Sequence, residues 1–222
     1  MKKMKLLCAA LTVIMLLTAC SGSTSSAAEK VIGTTDKVVA ADTLKPLAKA
    51  DKEKLGYQLD MPEKGEEICV LTTNYGTIRM RFFPDAAPKA VYSFKSLALS
   101  GYYDGVTFHR VIDDFMIQGG DPQGTGMGGP GWHIKGEFLQ NGVANPIKHT
   151  RGVISMARSM DPNSAGSQFF IMHQDAPHLD GSYAAFGHVV NGIEVVDEIA
   201  NVATDWNDKP RTPVVMEKVE IV

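Results

Sequence analysis

The stretch from residue 108 to residue 121 constrains the fold of this chain more than any other part of the sequence. It predicts two short strands, residues 106–111 and 115–118, joined by an acidic turn. Arg110 lies on the first strand and Gln118 ends the second, with a Phe-Met pair between them. An apolar pocket edged by fixed polar groups is typical of sites that bind small ligands or peptides. The stretch therefore predicts a binding site built on a β-hairpin.

The same stretch, Phe-His-Arg-Val-Ile followed by Phe-Met-Ile-Gln-Gly-Gly-Asp, closely resembles the signature of the cyclophilin-type peptidyl-prolyl cis-trans isomerases. A second stretch within residues 155–171 resembles that family about as specifically, through Ser-Met-Ala and Asn-Ser-Ala-Gly-Ser-Gln-Phe-Phe-Ile. The resemblance extends from residue 67 to residue 222. It implies an isomerase that rotates X–Pro peptide bonds.

Hydrophobic periodicity and turn residues predict eight strands and two helices, with mostly hairpin-like connections. We expect a mainly β fold, a closed eight-stranded antiparallel barrel of the cyclophilin type with two capping helices. The first helix should end near residue 100 and begin at a cap formed by Asp85. The second, residues 193–200, should begin at a capping box made by Asn191 and Glu194.

Rotation about a peptide bond breaks no bond, so the family requires no nucleophile, metal or cofactor, and none is expected here. The reaction requires selective stabilisation of a twisted amide, and the resemblance assigns this catalysis to Arg110, Phe115 and Gln118. It also implies a substrate-binding set, which comprises Met116, Gly124, Ala157, Arg158, Ser159, Gln168, Phe170, His178, Leu179 and Tyr183. The segment 157–159 should pair with the extended peptide that precedes the proline.

Three positions depart from the family's common pattern. His178 replaces the Trp that contributes to cyclosporin binding in many eukaryotic members, so weak binding of that drug is expected. Tyr183 replaces a pocket His, and its ring can fill the same space. Arg158 replaces an Asn whose backbone makes the family's contact, so the contact should survive.

The N-terminus reads as a bacterial lipoprotein signal. Lysines precede an apolar run, residues 6–17, which is too short to span a bilayer comfortably, and the sequence Leu-Thr-Ala-Cys-Ser then resembles a lipobox. We expect a signal peptide over residues 1–19, a lipidated Cys20 with a flexible tether to residue 65, and a cyclophilin-like domain over residues 66–222. The protein should then be extracytoplasmic and attached to the cell membrane by its lipid.

The net charge of the chain limits which classes of partner it can bind. Removal of residues 1–19 takes three lysines and no acids, which leaves 19 basic and 25 acidic residues, so nucleic acid is a poor partner. The expected partners are Pro-containing unfolded or exported polypeptides, and nothing in the sequence requires more than a monomer. The alternative kept open is a non-catalytic, membrane-tethered module that binds Pro-containing peptides.

Two other motifs could indicate a dinucleotide site and a zinc site, but neither prediction is supported by its surroundings in the sequence. Gly124, Gly126 and Gly129 match a dinucleotide-binding pattern, but the following Pro-Gly prevents the helix that such a site needs. His173 and His178, with an Asp between them, could ligate zinc, but their spacing matches no metal motif.

Overall fold

The computed structural model describes residues 56–222; the predicted signal peptide, Cys20 and most of the tether lie outside these residues. The strands are β1 (Ile68–Thr73), β2 (Gly76–Phe82), β3 (Arg110–Ile112), β4 (Met116–Gly119), β5 (Val153–Met156), β6 (Phe169–Met172), β7 (Ala185–Asn191) and β8 (Met216–Ile221). The helices are α1 (Pro88–Leu99) and α2 (Ile193–Ala200), with 3-10 turns at Gly56–Leu59, Leu139–Asn141 and Pro177–Leu179. No helix within residues 56–222 combines the length and apolar character needed to cross a bilayer.

The eight strands form one antiparallel sheet in the order β3-β4-β6-β5-β7-β2-β1-β8, curled into a half-barrel. The predicted strand and helix composition is confirmed, but the prediction of a closed barrel is wrong. A loop residue, Asp208, occupies the outer edge of β3: its carbonyl accepts a hydrogen bond from the N–H of Val111 at 2.8 Å. Just before β3 and β8, an isolated bridge joins Thr107 to Val215, and backbone hydrogen bonds of 2.7–2.9 Å link residues 105–108 to residues 214–216.

Alternation along the strands divides the apolar side chains between two clusters. On β6, Phe169 and Ile171 join the larger cluster, which also contains Phe94 of α1, whereas Phe170 and Met172 join a smaller one. Successive side chains of a strand point to opposite faces of the sheet, so one short segment builds both clusters. The larger cluster is the inner core, and the smaller one, on the other face, supports the site described below.

Both helices begin differently from the prediction. The N-terminus of α1 receives no side-chain cap from its own segment; instead the buried carboxylate of Glu137 accepts the N–H groups of Lys89 and Ala90 at 3.0 and 2.9 Å. The predicted cap by Asp85 is therefore wrong, because a carboxylate distant in sequence occupies that position.

The predicted capping box of α2 is also absent. Its N-cap is Gly192 at φ +84°, a left-handed conformation that glycine adopts without strain, and no side chain caps it. The side chain of Asn191 instead accepts a hydrogen bond from Arg79 at 3.1 Å.

Candidate active site

The predicted site residues converge on a cavity of about 170 Å³ on the outer face of the sheet. Residues Arg110 and Gln118 lie directly opposite each other in the β3–β4 register, which places both at its edge. The lining consists of Arg110, Phe115, Met116, Gln118, Ala157, Arg158, Phe170, Leu179 and Tyr183. All nine belong to the set that the sequence predicted, so the fold brings these residues together around one cavity.

The floor of this cavity is apolar. Met116, Phe170 and Leu179 are buried members of the smaller cluster, and Phe115 packs against them while partly exposed. The ring of Tyr183 stands edge-on to Phe170, with centroids 5.8 Å apart and an interplanar angle of 82°. A slot of this size and chemistry suits a small aliphatic ring.

Arg110 supplies the cation at the edge of the cavity. Its side chain is 45% exposed, and its Nε donates to the carboxylate of Asp208 at 3.2 Å. The four N–H groups on its two Nη atoms point along other directions of the planar guanidinium, so they can serve a ligand while Nε is occupied.

Gln118 belongs to a hydrogen-bonded chain that leads away from the cavity. Its side-chain N–H donates to Gln168 at 2.9 Å, and the Gln168 amide donates in turn to the carbonyls of Gly126 and Gly128 at 3.0 and 2.9 Å. A second N–H on the Gln118 amide can donate to a ligand carbonyl. Gln168 thus fixes Gln118 to the glycine-rich loop.

The glycine-rich loop is organised around one buried carboxylate. Asp121 accepts the backbone N–H groups of Gln123, Thr125 and Gly126 at 2.7–2.9 Å. Burial alone raises the pKa of Asp121, but these donors together hold it below its usual value. A Cβ at Gly128 would lie 2.0 Å from this carboxylate, so only glycine fits there.

A second cavity of about 600 Å³ adjoins the first and shares Gln118, Ala157 and Arg158 with it. Ser159 and Gln168, predicted as substrate-binding residues, line this second cavity. The loop wall is formed by residues 126–131.

Two predicted residues lie elsewhere. Gly124 was expected on the wall beside Gln168, but it borders a separate cavity with Lys209, because the loop turns at Gly124 before reaching that wall. His178 lines none of these cavities and stacks on the ring of Phe115 at 5.8 Å and 27°, at the rim of the first cavity.

The segment that should pair with a peptide is held in place by its neighbours. The N–H of Ala157 donates to the carbonyl of Gln168 and that of Ser159 to the hydroxyl of Ser164. The Arg158 guanidinium lies 4.6 Å from the Tyr183 ring centroid and donates to the carbonyl of Ser182 at 2.9 and 3.1 Å. This Arg side chain is therefore part of the pocket wall.

Sequence reasoning missed the polar pair behind this wall. The buried His149 ring bonds Asp180 through Nδ1 at 3.2 Å and Ser155 through Nε2 at 3.1 Å, and it stacks against Phe170. Burial lowers the pKa of His149, although Asp180 opposes the shift. A buried histidine that supports the pocket floor produces no periodic pattern in a sequence, so sequence analysis could not identify it.

The residues considered for zinc do not form a site. His173 accepts the N–H of Asp114, Asp175 accepts that of Arg151, and His178 stacks on a ring. The group within residues 56–222 whose ligand atoms lie within 4.8 Å of one another is Asp113, Asp114 and His173. Nδ1 of that histidine already accepts a backbone hydrogen bond, and both carboxylates are exposed.

Comparison with known proteins agrees with this geometry. The family model described as cyclophilin type peptidyl-prolyl cis-trans isomerase/CLD matches residues 68–221. Peptidyl-prolyl cis-trans isomerase CYP18-1 of Arabidopsis thaliana is 45% identical over 152 residues, which cover 68% of this chain and 93% of that protein. A solved Cryptosporidium parvum cyclophilin type isomerase, crystallised in the presence of the dipeptide Ala-Pro, is 36% identical with a TM-score of 0.65; the match covers 70% of this chain and 98% of that one.

Other relatives are much longer. Peptidyl-prolyl cis-trans isomerase-like 2 of Rhizopus delemar is 39% identical over 201 residues, which cover 90% of this chain but only 36% of that protein. The chain therefore spans well under half the length of such curated relatives. The part that matches throughout is the domain that carries the pocket, and by sequence, fold and matched residues this chain belongs to the cyclophilin-type peptidyl-prolyl cis-trans isomerase family.

Proposed function

We propose that this protein catalyses cis-trans isomerisation of X–Pro peptide bonds. The observation that carries the proposal is an always-charged guanidinium, Arg110, at the edge of an apolar slot that fits a proline ring. The Ala-Pro dipeptide present with the Cryptosporidium relative is the minimal substrate fragment of this kind.

The chemistry follows from the amide. Resonance gives the peptide bond a rotation barrier of about 18–20 kcal/mol, and twisting localises the lone pair on the prolyl nitrogen. A donor beside that nitrogen stabilises the twisted state more than either planar state, and each tenfold acceleration requires about 1.4 kcal/mol of that selectivity. Arg110 supplies the donor, and the slot holds the ring while Gln118 holds a carbonyl that does not rotate.

The peptide before the proline binds along residues 157–159. With the N–H groups of Ala157 and Ser159 already engaged, the backbone of Arg158 supplies the contact. Main-chain pairing of this kind gives affinity with little side-chain selectivity, which suits an enzyme that acts on many unfolded polypeptides.

A protease-coupled isomerisation assay with an Ala-Pro test peptide tests the activity. We expect fast turnover by the wild-type chain and a loss of about tenfold or more in kcat with Arg110→Ala, with peptide binding nearly unchanged. A wild-type rate no faster than the uncatalysed one would leave a non-catalytic binding module as the function.

We further propose that the chain is a lipoprotein, with a signal peptide over residues 1–19, lipid on Cys20, a tether to residue 65 and the isomerase domain over residues 66–222. Its clients would be exported polypeptides outside the cytoplasmic membrane. The short apolar run ending in Leu-Thr-Ala-Cys supports this. Metabolic labelling with a fatty acid in bacterial cells should mark the wild-type chain and not Cys20→Ala; equal labelling would overturn the assignment.

A further inference from the structure

Asp208 contacts the site without lining it. Its carboxylate Oδ2 lies 3.2 Å from Nε of Arg110, and the side chains of the two residues are 41% and 45% exposed. The residues that form the cavity include Arg110 and not Asp208. The carboxylate therefore acts on the cavity only through the guanidinium.

The backbone of Asp208 is fixed to the same strand. Its carbonyl accepts the N–H of Val111 at 2.8 Å, and its own N–H donates to the carbonyl of Asp205 at 3.2 Å. Asp208 has a φ of +63°, in the left-handed region. A residue held in this uncommon conformation at a contact with Arg110 indicates a preformed position.

The loop around Asp208 is held by its own hydrogen bonds. The carboxylate of Asp205 accepts the N–H groups of Asn207 and Lys209 at 2.8 and 3.0 Å, and these bonds lower the pKa of Asp205. An isolated bridge joins Thr204 to Pro210. The loop thus presents a carboxylate to β3 in a defined place.

Two opposite effects on the reaction follow from this contact. The negative charge weakens the positive potential that Arg110 directs at a prolyl nitrogen, but the pair is exposed, so water and salt screen that effect. The contact also holds a long, rotatable side chain in one orientation, and losing such immobilisation costs roughly two- to tenfold in rate. Because this screening makes the charge effect small, the effect on orientation is the larger of the two.

We infer that Asp208 is a positioning residue for isomerisation, which holds the Arg110 guanidinium so that its Nη groups face the prolyl nitrogen. This inference rests on the proposed isomerase activity and on the role proposed there for Arg110.

The test compares Asp208→Gly with wild type in the full chain. Glycine adopts positive φ freely, so it removes the carboxylate and leaves the loop backbone allowed. We expect kcat for an Ala-Pro peptide to fall about two- to tenfold while KM changes less than about twofold. Asp208→Asn keeps the left-handed conformation and a weaker acceptor, so its kcat should fall less than that of Asp208→Gly. It keeps the test usable if the glycine variant misfolds.

Two further measurements separate positioning from a structural role. In an Arg110→Ala background, Asp208→Gly should cause no additional loss, because its effect passes through the guanidinium. Raising the salt to about 1 M, where the Debye length is about 3 Å, should lower the wild-type kcat towards that of the variant and leave the variant unchanged.

Asp114 provides the matched control. It is the other non-glycine residue with positive φ among residues 56–222, at +56°, and it lies at the exposed turn beyond β3. Asp114→Gly should leave kcat unchanged. The inference is overturned if Asp208→Gly is as fast as wild type or faster, or if its loss persists without Arg110. An inactive wild type would instead reject the proposed function.

Discussion

At the scale of single residues, the family stretches named residues that the fold brings together around one cavity. Arg110 and Gln118 lie close together in the chain and on paired strands, so their approach follows from a hairpin. Asp208 and Asp180 could not be identified in this way, because they come from loops whose folded path no local pattern describes. Their partners are set by tertiary packing.

Arg158 illustrates a residue whose backbone and side chain have different roles. Its guanidinium lies over Tyr183 and also 5.1 Å from the Phe138 centroid, while its fork donates to the Ser182 carbonyl. Arg158→Ala should lower the free energy of unfolding by roughly 1–2 kcal/mol, since it removes cation–π and charge-assisted contacts. Urea unfolding measures this loss.

The same variant should change kcat little, because the backbone of residue 158 remains. Arg158→Lys keeps a cation over the rings but loses the forked guanidinium donors to the Ser182 carbonyl. Its stability should therefore lie between that of the wild type and that of Arg158→Ala. Equal stability of all three proteins would contradict the account of the side chain as part of the pocket wall.

At the scale of elements, helix positions were predictable but the structures that begin them were not. The apolar stripe of α1 is visible in the sequence, and its buried residues Val91, Phe94 and Leu97 follow that stripe. The cap of α1 comes from Glu137, 47 residues beyond Ala90. Sequence signals for caps are local, so a cap supplied from another loop is invisible to them.

Glu137→Gln should therefore weaken the anchoring of α1. An amide has one acceptor oxygen instead of two, and it has no negative charge to interact favourably with the positive N-terminal end of the helix dipole. We therefore expect the unfolding free energy to fall by roughly 1–3 kcal/mol. Thermal or urea unfolding measures it. Asp85→Asn, at the cap expected from sequence, is the control and should change stability by less than about 0.5 kcal/mol; the reverse ranking would refute the assignment.

At the scale of the whole molecule, buried histidines should make stability depend on pH. Burial lowers the pKa of His109, His149 and His188, that of His188 to about 4. In the unfolded chain a histidine side chain takes up a proton at about pH 6.5, above the pKa that it has in the folded protein. Acid therefore favours the unfolded state. The stabilisation is complete above about pH 6.5 and is lost as the pH falls towards 4.

Between pH 7 and pH 5, His188 alone should reduce the unfolding free energy by about 2 kcal/mol, and the other two act in the same direction. Urea titrations at both pH values measure the change. His188→Gln should flatten this dependence, whereas a substitution at the exposed His133 should not. Equal stability of the wild type at both pH values would disprove the account.

The architecture of the sheet was predictable in number and direction of strands but not in closure. Strand counting could not show that Asp208 occupies the edge of β3. The same loop residue also touches Arg110. The contact between this loop and Arg110 could not be derived from strand counting, because only the three-dimensional structure brings the two together.

The division of strands β3 to β7 between two clusters has a consequence for adaptation. Phe169 and Ile171 hold the scaffold together, while Phe170, between them in sequence, forms the floor of the pocket with Met116. New specificities can arise by changing the outward positions while the inward ones keep the scaffold intact. Because the outward side chains Phe170 and Met116 are themselves buried, a library at these positions would have to exchange apolar groups of similar volume, so that the pocket changes shape while the packing of the smaller cluster is kept.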